Sequence, residues 1–61
     1  MAKFGLFDGK KSEPLEVWKG DYMNLAKDYV TIYKRNPNPS TKDITVIVMR
    51  LRPGFSVREI D

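Results

Sequence analysis

Short runs of apolar residues alternate with polar segments that contain glycine or proline along this chain of 61 residues. Five of the runs predict β-strands, and Tyr29–Tyr33 is β-branched or aromatic at every position, a composition enriched in strands. The five runs are Leu15–Trp18, Tyr22–Leu25, Tyr29–Tyr33, Asp43–Arg52 and Phe55–Ile60. The short connections between most of them favour hairpins. The pattern predicts a mainly β fold, a small antiparallel meander of three to five strands that can curl into a half-barrel.

The strand predicted at Asp43–Arg52 is apolar on both faces. Successive side chains of a strand point to opposite sides. Two sets therefore alternate along it: Ile44, Val46 and Val48 on one face, and Ile47, Met49 and Leu51 on the other. Apolar residues on both faces indicate cover on both sides, because a sheet face in water is normally polar. We expect the second set to form the core together with Trp18, Val30 and Ile32. The first set is then covered by curling of the sheet, by the N-terminal segment or by another chain.

Residues 21–34 also admit a helical interpretation. Their apolar residues recur at spacings of three and four, as on an amphipathic helix, and Asp21 could cap its N-terminus. The residues of Tyr29–Tyr33, however, are all β-branched or aromatic and lose side-chain freedom in a helix. Two strands joined by residues 26–28 are therefore the preferred interpretation. The alternative is an α+β fold, in which a helix over Asp21–Lys34 packs on two or three strands.

Turn-forming residues divide the chain further. Gly20 predicts a bend before Asp21, because glycine tolerates backbone angles that other residues avoid. Asn36–Thr41 contains two prolines and predicts a loop. Arg52–Phe55, in which glycine follows proline, predicts a type II turn.

Residues 1–14 contain two glycines, a proline and several charged side chains, which do not favour regular structure. We therefore expect an N-terminal arm or tail over residues 1–14 and a single small β-domain over residues 15–61. Phe4, Leu6 and Phe7 are unusual for a disordered tail, which is normally poor in aromatic residues. We expect these three side chains to be ordered by contact with the domain or with a partner.

The size and composition of the chain narrow its chemistry. A domain of this length buries only about 60% of its unfolded surface, and its usual supports are disulfides, a metal or a partner chain. The sequence has neither cysteine nor histidine, which removes disulfides, thiolate zinc sites and the usual base of nucleophilic catalysis. Its carboxylates are scattered and its glycines match no nucleotide-binding motif. We predict no enzymatic activity, no cofactor and no metal site, and support from another protein chain.

The formal net charge of +3 is unevenly distributed. Residues 34–52 hold five basic residues and one acidic residue, a local charge of +4. Basic side chains bind phosphates, and interleaved aromatic side chains can stack on the bases of a single strand. A small basic β-domain that binds single-stranded nucleic acid is therefore the alternative function. Its candidate residues are Tyr33, Lys34, Arg35, Arg50 and Arg52.

The leading functional hypothesis is a non-catalytic protein–protein interaction module. Such a module would be a small accessory or adaptor subunit that docks on a larger protein or associates with a second copy of itself. Arginine is enriched at protein interfaces and can bind a carboxylate through two hydrogen bonds. The candidate interface residues are Ile44, Val46, Val48, Arg50 and Arg52, together with Phe4 and Phe7.

The lengths of the apolar runs indicate whether the chain has a transmembrane segment and bear on its cellular location. The longest run, Val46–Met49, has four residues, whereas a transmembrane helix needs about 18 or more. The first residues also lack the apolar stretch of a secretory signal. We therefore expect a cytoplasmic protein without a transmembrane segment.

Overall fold

The structure, a computed structural model, describes residues 2–60. Within that range it is entirely β, with six strands and no helix: β1 (Ala2–Asp8), β2 (Glu16–Gly20), β3 (Tyr22–Ala26), β4 (Tyr29–Lys34), β5 (Ile44–Arg50) and β6 (Phe55–Ile60). They form two antiparallel sheets of three strands each. The first sheet has the order β2-β1-β6 and the second has the order β3-β4-β5. The predicted class, a small antiparallel β-domain, is confirmed.

The alternative helix over Asp21–Lys34 is wrong, because these residues form β3, a hairpin turn and β4. β4 is the central strand of the second sheet, and its residues have neighbours on both sides. Val30, for example, lies between Leu25 of β3 and Met49 of β5. β-Branched and aromatic side chains pack well against such cross-strand neighbours, and this packing outweighs the helical spacing.

The turn between β3 and β4 consists of Lys27 and Asp28. Lys27 has a φ of 56°, and it is the one non-glycine residue among residues 2–60 with a positive φ. Of the two turn residues only the first has a positive φ, a region of backbone conformation that glycine adopts most easily. A left-handed conformation costs a residue with a Cβ about 1–2 kcal/mol. The hairpin therefore carries a lysine where glycine would be less strained.

The turn between β5 and β6 has the predicted type II geometry. Gly54 has a φ of 86°, as the third position of such a turn requires. The Phe55 N–H donates a hydrogen bond of 3.1 Å to the Arg52 carbonyl oxygen, which closes the turn.

The N-terminal segment differs most from expectation. The prediction that residues 1–14 lack regular structure is wrong for Ala2–Asp8, because this segment is the central strand of the first sheet. It pairs with β2 on one side and with β6 on the other. The expectation of ordering by contact with the domain is confirmed, since Phe4, Leu6 and Phe7 are all buried.

Gly5 explains why β1 is difficult to recognise from sequence. Glycine inside a strand lowers the preference for that conformation. A Cβ at this position, however, would lie only 3.0 Å from Cε1 of Phe7 and 3.1 Å from Cβ of Pro14. The Phe7 ring therefore lies against Gly5, and the Arg58 guanidinium, 3.9 Å from the ring centroid, also packs on it. Position 5 is small because a neighbouring aromatic ring occupies its space.

The chain passes from the first sheet to the second at Gly20, where the two sheets approach each other. A Cβ at Gly20 would lie 2.6 Å from Cγ2 of Ile32 and 3.0 Å from the carbonyl oxygen of Tyr33. The same carbonyl accepts a hydrogen bond of 2.7 Å from the Asp21 N–H. Phe4 reaches this contact from β1, with its Cε2 at 3.8 Å. The absence of a side chain at Gly20 thus lets β2 and β4 meet directly.

The inner faces of the two sheets cover each other only in part. Val30 and Ile32 are fully buried, but the other predicted core residues are only half-buried: Trp18, Ile47, Met49 and Leu51. The accessible surface is 4738 Å², whereas a folded protein of this mass has about 4100 Å². The radius of gyration is 12.2 Å, against about 10.5 Å for a compact domain of this length. The larger radius reflects an elongated shape of 41 × 25 × 11 Å. A crevice between the sheets stays open where Leu6 and Met49 line a cavity of about 150 Å³.

We predict that Gly20→Ala destabilises the domain by about 1–3 kcal/mol, because the added methyl group meets a buried side chain and a backbone oxygen. Urea denaturation followed by circular dichroism measures the change in the free energy of unfolding. Ser56→Ala, at an exposed strand position, is the control and should stay within about 0.5 kcal/mol of the wild type. An equally small change in Gly20→Ala would contradict the close approach of the two sheets.

Candidate interaction surface

Three apolar side chains of β5 form the exposed surface that the sequence singled out. Ile44, Val46 and Val48, named the β5 ridge here, are 47%, 41% and 57% exposed. Ile47 and Met49 on the same strand are half-buried. The strand thus presents one apolar side to the interior and another to solvent.

A β-bulge interrupts the pairing of β5 with β4 beneath this ridge. Ile32 pairs with Ile47. The next residue of β4 pairs with Thr45, so Val46 has no direct partner in β4. An extra residue of this kind bends its strand and increases the local twist. The β5 ridge therefore follows a bent strand and not a flat one.

β5 is also an edge strand. Over residues 2–60 its only strand partner is β4, which leaves its other edge without a paired strand. The free N–H and C=O groups of such an edge can pair with a strand of another chain. Natural proteins often limit this tendency with bulges and charged residues, and both occur in or next to β5. The edge and the β5 ridge lie on the same strand, so one partner could use both.

Arg50 and Arg52 lie at the C-terminal end of β5. Nε of Arg50 is 2.6 Å from Oδ2 of Asp28, and the half-exposed Tyr29 lies opposite Arg50 in the sheet. Both members of the ion pair are exposed, so the pair adds little to stability. It nevertheless holds Arg50 against the hairpin turn. Arg52 follows at the beginning of the type II turn.

Phe4 and Phe7, the two aromatic residues of the predicted interface, are each only 3% exposed. They occupy opposite sides of β1, because Phe4 lies near Gly20 in the interior whereas Phe7 lies against Arg58. The packing of the domain itself accounts for both side chains. The structure does not bring them to the surface beside the β5 ridge.

The residues of the alternative nucleic-acid site fall into two groups. Lys34 and Arg35 lie at one end of the second sheet, and Arg50 and Arg52 lie at the other. Ile44, opposite Lys34, is six residues from Arg50 along β5, a distance of about 20 Å at the usual strand rise. The sheet therefore does not bring the two groups together into one patch.

Tyr33 belongs to the first of these groups and stacks on Tyr22. Their ring centroids are 5.0 Å apart and their planes are inclined by 21°. Cζ of Arg35 lies 5.6 Å from the Tyr22 centroid. Asp43 accepts hydrogen bonds from the Tyr22 hydroxyl at 2.5 Å and from the Asn36 N–H at 3.2 Å. A carboxylate therefore stands within the aromatic and basic group, where it would repel a phosphate.

The same contacts shift two pKa values. The hydrogen bond to Asp43 raises the pKa of Tyr22 above its ordinary value of 10.0, because the phenol must keep its proton to donate. Hydrogen bonds from the Tyr22 hydroxyl and from the backbone of Asn36 lower the pKa of Asp43 below its ordinary 3.8, because they favour the carboxylate.

A groove that sequence reasoning missed runs between two turns. This corner groove has a volume of about 800 Å³ and lies between the hairpin turn at Lys27 and Asp28 and the turn of residues 52–55. A smaller cavity of about 150 Å³ shares Arg50, Leu51, Arg52 and Phe55 with it and is also lined by Leu6 and Met49. The lining comes from segments that are far apart in the sequence. No local pattern of residues could therefore have indicated it.

No protein-family model, curated protein or solved structure matches this chain. Residues 2–60 contain no group of acidic side chains placed to hold a metal ion. The part of the chain that the structure describes has no helix of the length and apolar character needed to cross a membrane.

We predict that the hydrogen bond between Tyr22 and Asp43 stabilises the fold between about pH 4 and pH 10. The lowered pKa of Asp43 gives a contribution that is present above 3.8 and is lost as the pH falls through the folded-state value. The raised pKa of Tyr22 gives a contribution that is present below 10.0 and is lost as the pH rises through the folded-state value. The difference in Tm between the wild type and Tyr22→Phe should therefore be largest inside this window.

Thermal melting followed by circular dichroism across the pH range measures this difference. Tyr33→Phe removes the neighbouring hydroxyl but keeps the ring, so it is the control and should retain the pH dependence of the wild type. A Tyr22→Phe variant whose Tm differs from the wild type by the same amount at every pH would contradict the assignment.

Proposed function

We propose that this chain is a non-catalytic protein–protein interaction module, an accessory or adaptor subunit that docks on a larger protein or self-associates. The observation that carries the proposal is the exposed β5 ridge on an edge strand. Scattered exposed apolar residues are normal on any protein, but neighbouring ones that form a patch are typical of contact sites. A cytoplasmic location is part of the proposal, since a cysteine-free sequence fits a reducing compartment.

Arginine at the end of the β5 ridge supports a protein partner. Arg50 and Arg52 continue the exposed side of β5 beyond Val48. An interface with an apolar centre and arginine at its margin has the composition of many protein contacts. The open edge of β5 adds a second means of binding, because a strand of the partner can extend the sheet through main-chain hydrogen bonds.

The proposal does not include catalysis. The sequence has no histidine or cysteine, so the most common nucleophile and base pairs cannot be assembled from it. The carboxylate with a lowered pKa, Asp43, is held by a hydrogen bond to Tyr22 on the surface. The hydrogen bond from Tyr22 accounts for the lowered pKa of Asp43, so no catalytic function is needed to explain it.

Binding of single-stranded nucleic acid is the second candidate function. The stacked pair of Tyr22 and Tyr33 beside Arg35 favours it, because exposed aromatic rings near cations are how single strands are commonly held. The carboxylate of Asp43 in the same group and the separation of the two basic groups argue against it. Salt distinguishes the two functions, since nucleic-acid affinity falls steeply with ionic strength whereas apolar contacts persist.

We predict that Val46→Lys leaves the monomer folded but dissociates the native assembly. A charge in the centre of an apolar contact is desolvated without a partner, which typically costs more than 2 kcal/mol of binding free energy. Size-exclusion chromatography and native mass spectrometry of the assembly, purified from cells that express the tagged chain, measure the association. Circular dichroism of the isolated chain checks the fold.

Ser56→Lys introduces the same charge at an exposed position of β6 and is the matched control. An assembly that persists in Val46→Lys would show that the β5 ridge is ordinary surface. Unfolding of the monomer would place Val46 in the core. An assembly of wild-type chain that dissociates between about 50 and 200 mM salt and contains nucleic acid would favour the second function.

A further inference from the structure

The walls of the corner groove are tied to the rest of the fold. The Leu51 N–H donates a hydrogen bond of 2.6 Å to the carbonyl oxygen of Asp28, which links the hairpin turn to the residue that precedes the second turn. The Gly54 carbonyl oxygen accepts one of 2.8 Å from the Gly9 N–H. The groove is therefore preformed, and a ligand would lose little free energy in ordering it.

The floor of the corner groove is apolar. Leu25, which is 54% exposed, lines it together with Leu51 and Phe55. The neighbouring smaller cavity adds the apolar side chains of Leu6 and Met49. A cavity of about 150 Å³ is large enough for a benzene-sized group. One apolar side chain of a ligand could therefore enter the crevice from the groove.

The rim of the corner groove is cationic. Lys27, Arg50 and Arg52 lie around it with one acidic residue, Asp28, which pairs with Arg50. Among the ion pairs within residues 2–60, Lys27 and Arg52 have no acidic partner. Arginine can bind a carboxylate through two parallel hydrogen bonds. The rim thus complements carboxylates, and the floor complements apolar side chains.

The backbone at Lys27 is a second, independent observation. The position has the left-handed conformation that glycine adopts most easily, yet it carries a lysine whose side chain borders the groove. Strained residues of this kind are concentrated at binding and catalytic sites. A function of the lysine in binding would account for its presence.

We propose that the corner groove binds an extended acidic segment of a partner protein that also carries apolar side chains. This inference rests on the proposed function, because it names the chemistry of the partner. The groove shares Arg50 and Arg52 with the margin of the proposed interface but includes none of the three residues of the β5 ridge. Charge favours such a partner over a second copy of this chain, which carries a net charge of +3. The groove is open and lined mostly by exposed residues, so it suits a peptide chain better than an enclosed small molecule.

Nucleic acid fits the corner groove less well. Phe55 is the one aromatic residue among the described lining residues, whereas the stacked tyrosines lie at the opposite end of the second sheet. An apolar floor gives nothing for a second phosphate to bind. Single-stranded nucleic acid is therefore treated as an outcome of the test.

The test is an NMR titration of the uniformly ¹⁵N-labelled full chain with defined probes. The first probe is a blocked ten-residue peptide of aspartate, glutamate, leucine and phenylalanine. In the second probe, serine replaces the leucine and phenylalanine, and in the third, lysine replaces the acidic residues. The fourth probe is a ten-nucleotide oligothymidylate. We expect shifts at Lys27, Arg52 and Phe55 with the first probe, with a Kd below about 1 mM, and at least tenfold weaker binding of the second and third.

Two variants separate binding from folding. Lys27→Gly relieves the backbone strain and should raise Tm. It also removes a rim cation and should therefore weaken the binding of the first peptide about two- to fivefold. Arg52→Gln should weaken it by a similar factor. Lys19→Gln removes the same charge at an exposed position of β2 and should leave the Kd unchanged.

Three results would overturn the proposal. They are equal binding of the first and second peptides, affinity in Lys27→Gly equal to that of the wild type, and shifts in the groove with oligothymidylate alone. Val46→Lys is expected to bind the first peptide like the wild type, because the β5 ridge lies outside the groove. If the first peptide binds but no native assembly depends on the β5 ridge, only the proposed function of the ridge is contradicted. An intact ridge-dependent assembly without peptide binding would count against the groove alone.

Discussion

The two small sheets of this domain cover each other only in part, and the surfaces that could bind a partner follow from this incomplete packing. The chain crosses between the sheets at Gly20, where the backbones approach so closely that a Cβ would clash with Ile32. Beside this contact, Val30 and Ile32 are fully buried. Farther away, inward-facing residues such as Met49 are only half-buried, and the crevice between the sheets is open there. The corner groove is the mouth of this crevice, and the β5 ridge lies on the outer side of the same strand that lines it.

The strands of residues 15–60 could be predicted from sequence because their signals are local. β-Branched and aromatic residues between turn-forming residues are sufficient to identify β4 and β5, and proline followed by glycine identifies the turn at Arg52–Phe55. β1 could not be identified in this way, since Gly5 weakens the local preference for a strand. The reason for Gly5 is the Phe7 ring that lies against it, and only the folded structure brings Pro14 and Arg58 to the same place.

Some features of the candidate site could also be predicted from local sequence, whereas others depend on tertiary contacts. The β5 ridge follows from strand parity, which a sequence displays directly. Its three residues are exposed, so neither curling of the sheet nor the N-terminal segment covers them. The basic residues near Tyr33 and those after Val48 belong to one basic stretch of the sequence. The pairing of β4 with β5 nevertheless separates them by the length of the sheet. The corner groove depends on two turns and on the hydrogen bond from Leu51 to Asp28. Contacts of this kind are tertiary and leave no periodic signal in the sequence.

The crevice between the sheets is open in the isolated chain, so solvent should reach the Met49 methyl group. Methyl NMR relaxation in the presence of a soluble paramagnetic agent reports how closely solvent approaches each side chain. The structure predicts strong relaxation enhancement for Met49, at a level between those of the exposed Val48 and the fully buried Ile32. A Met49 methyl group as well protected as those of Ile32 would show that the sheets close on each other, and would contradict the account of the crevice and of the groove that opens from it.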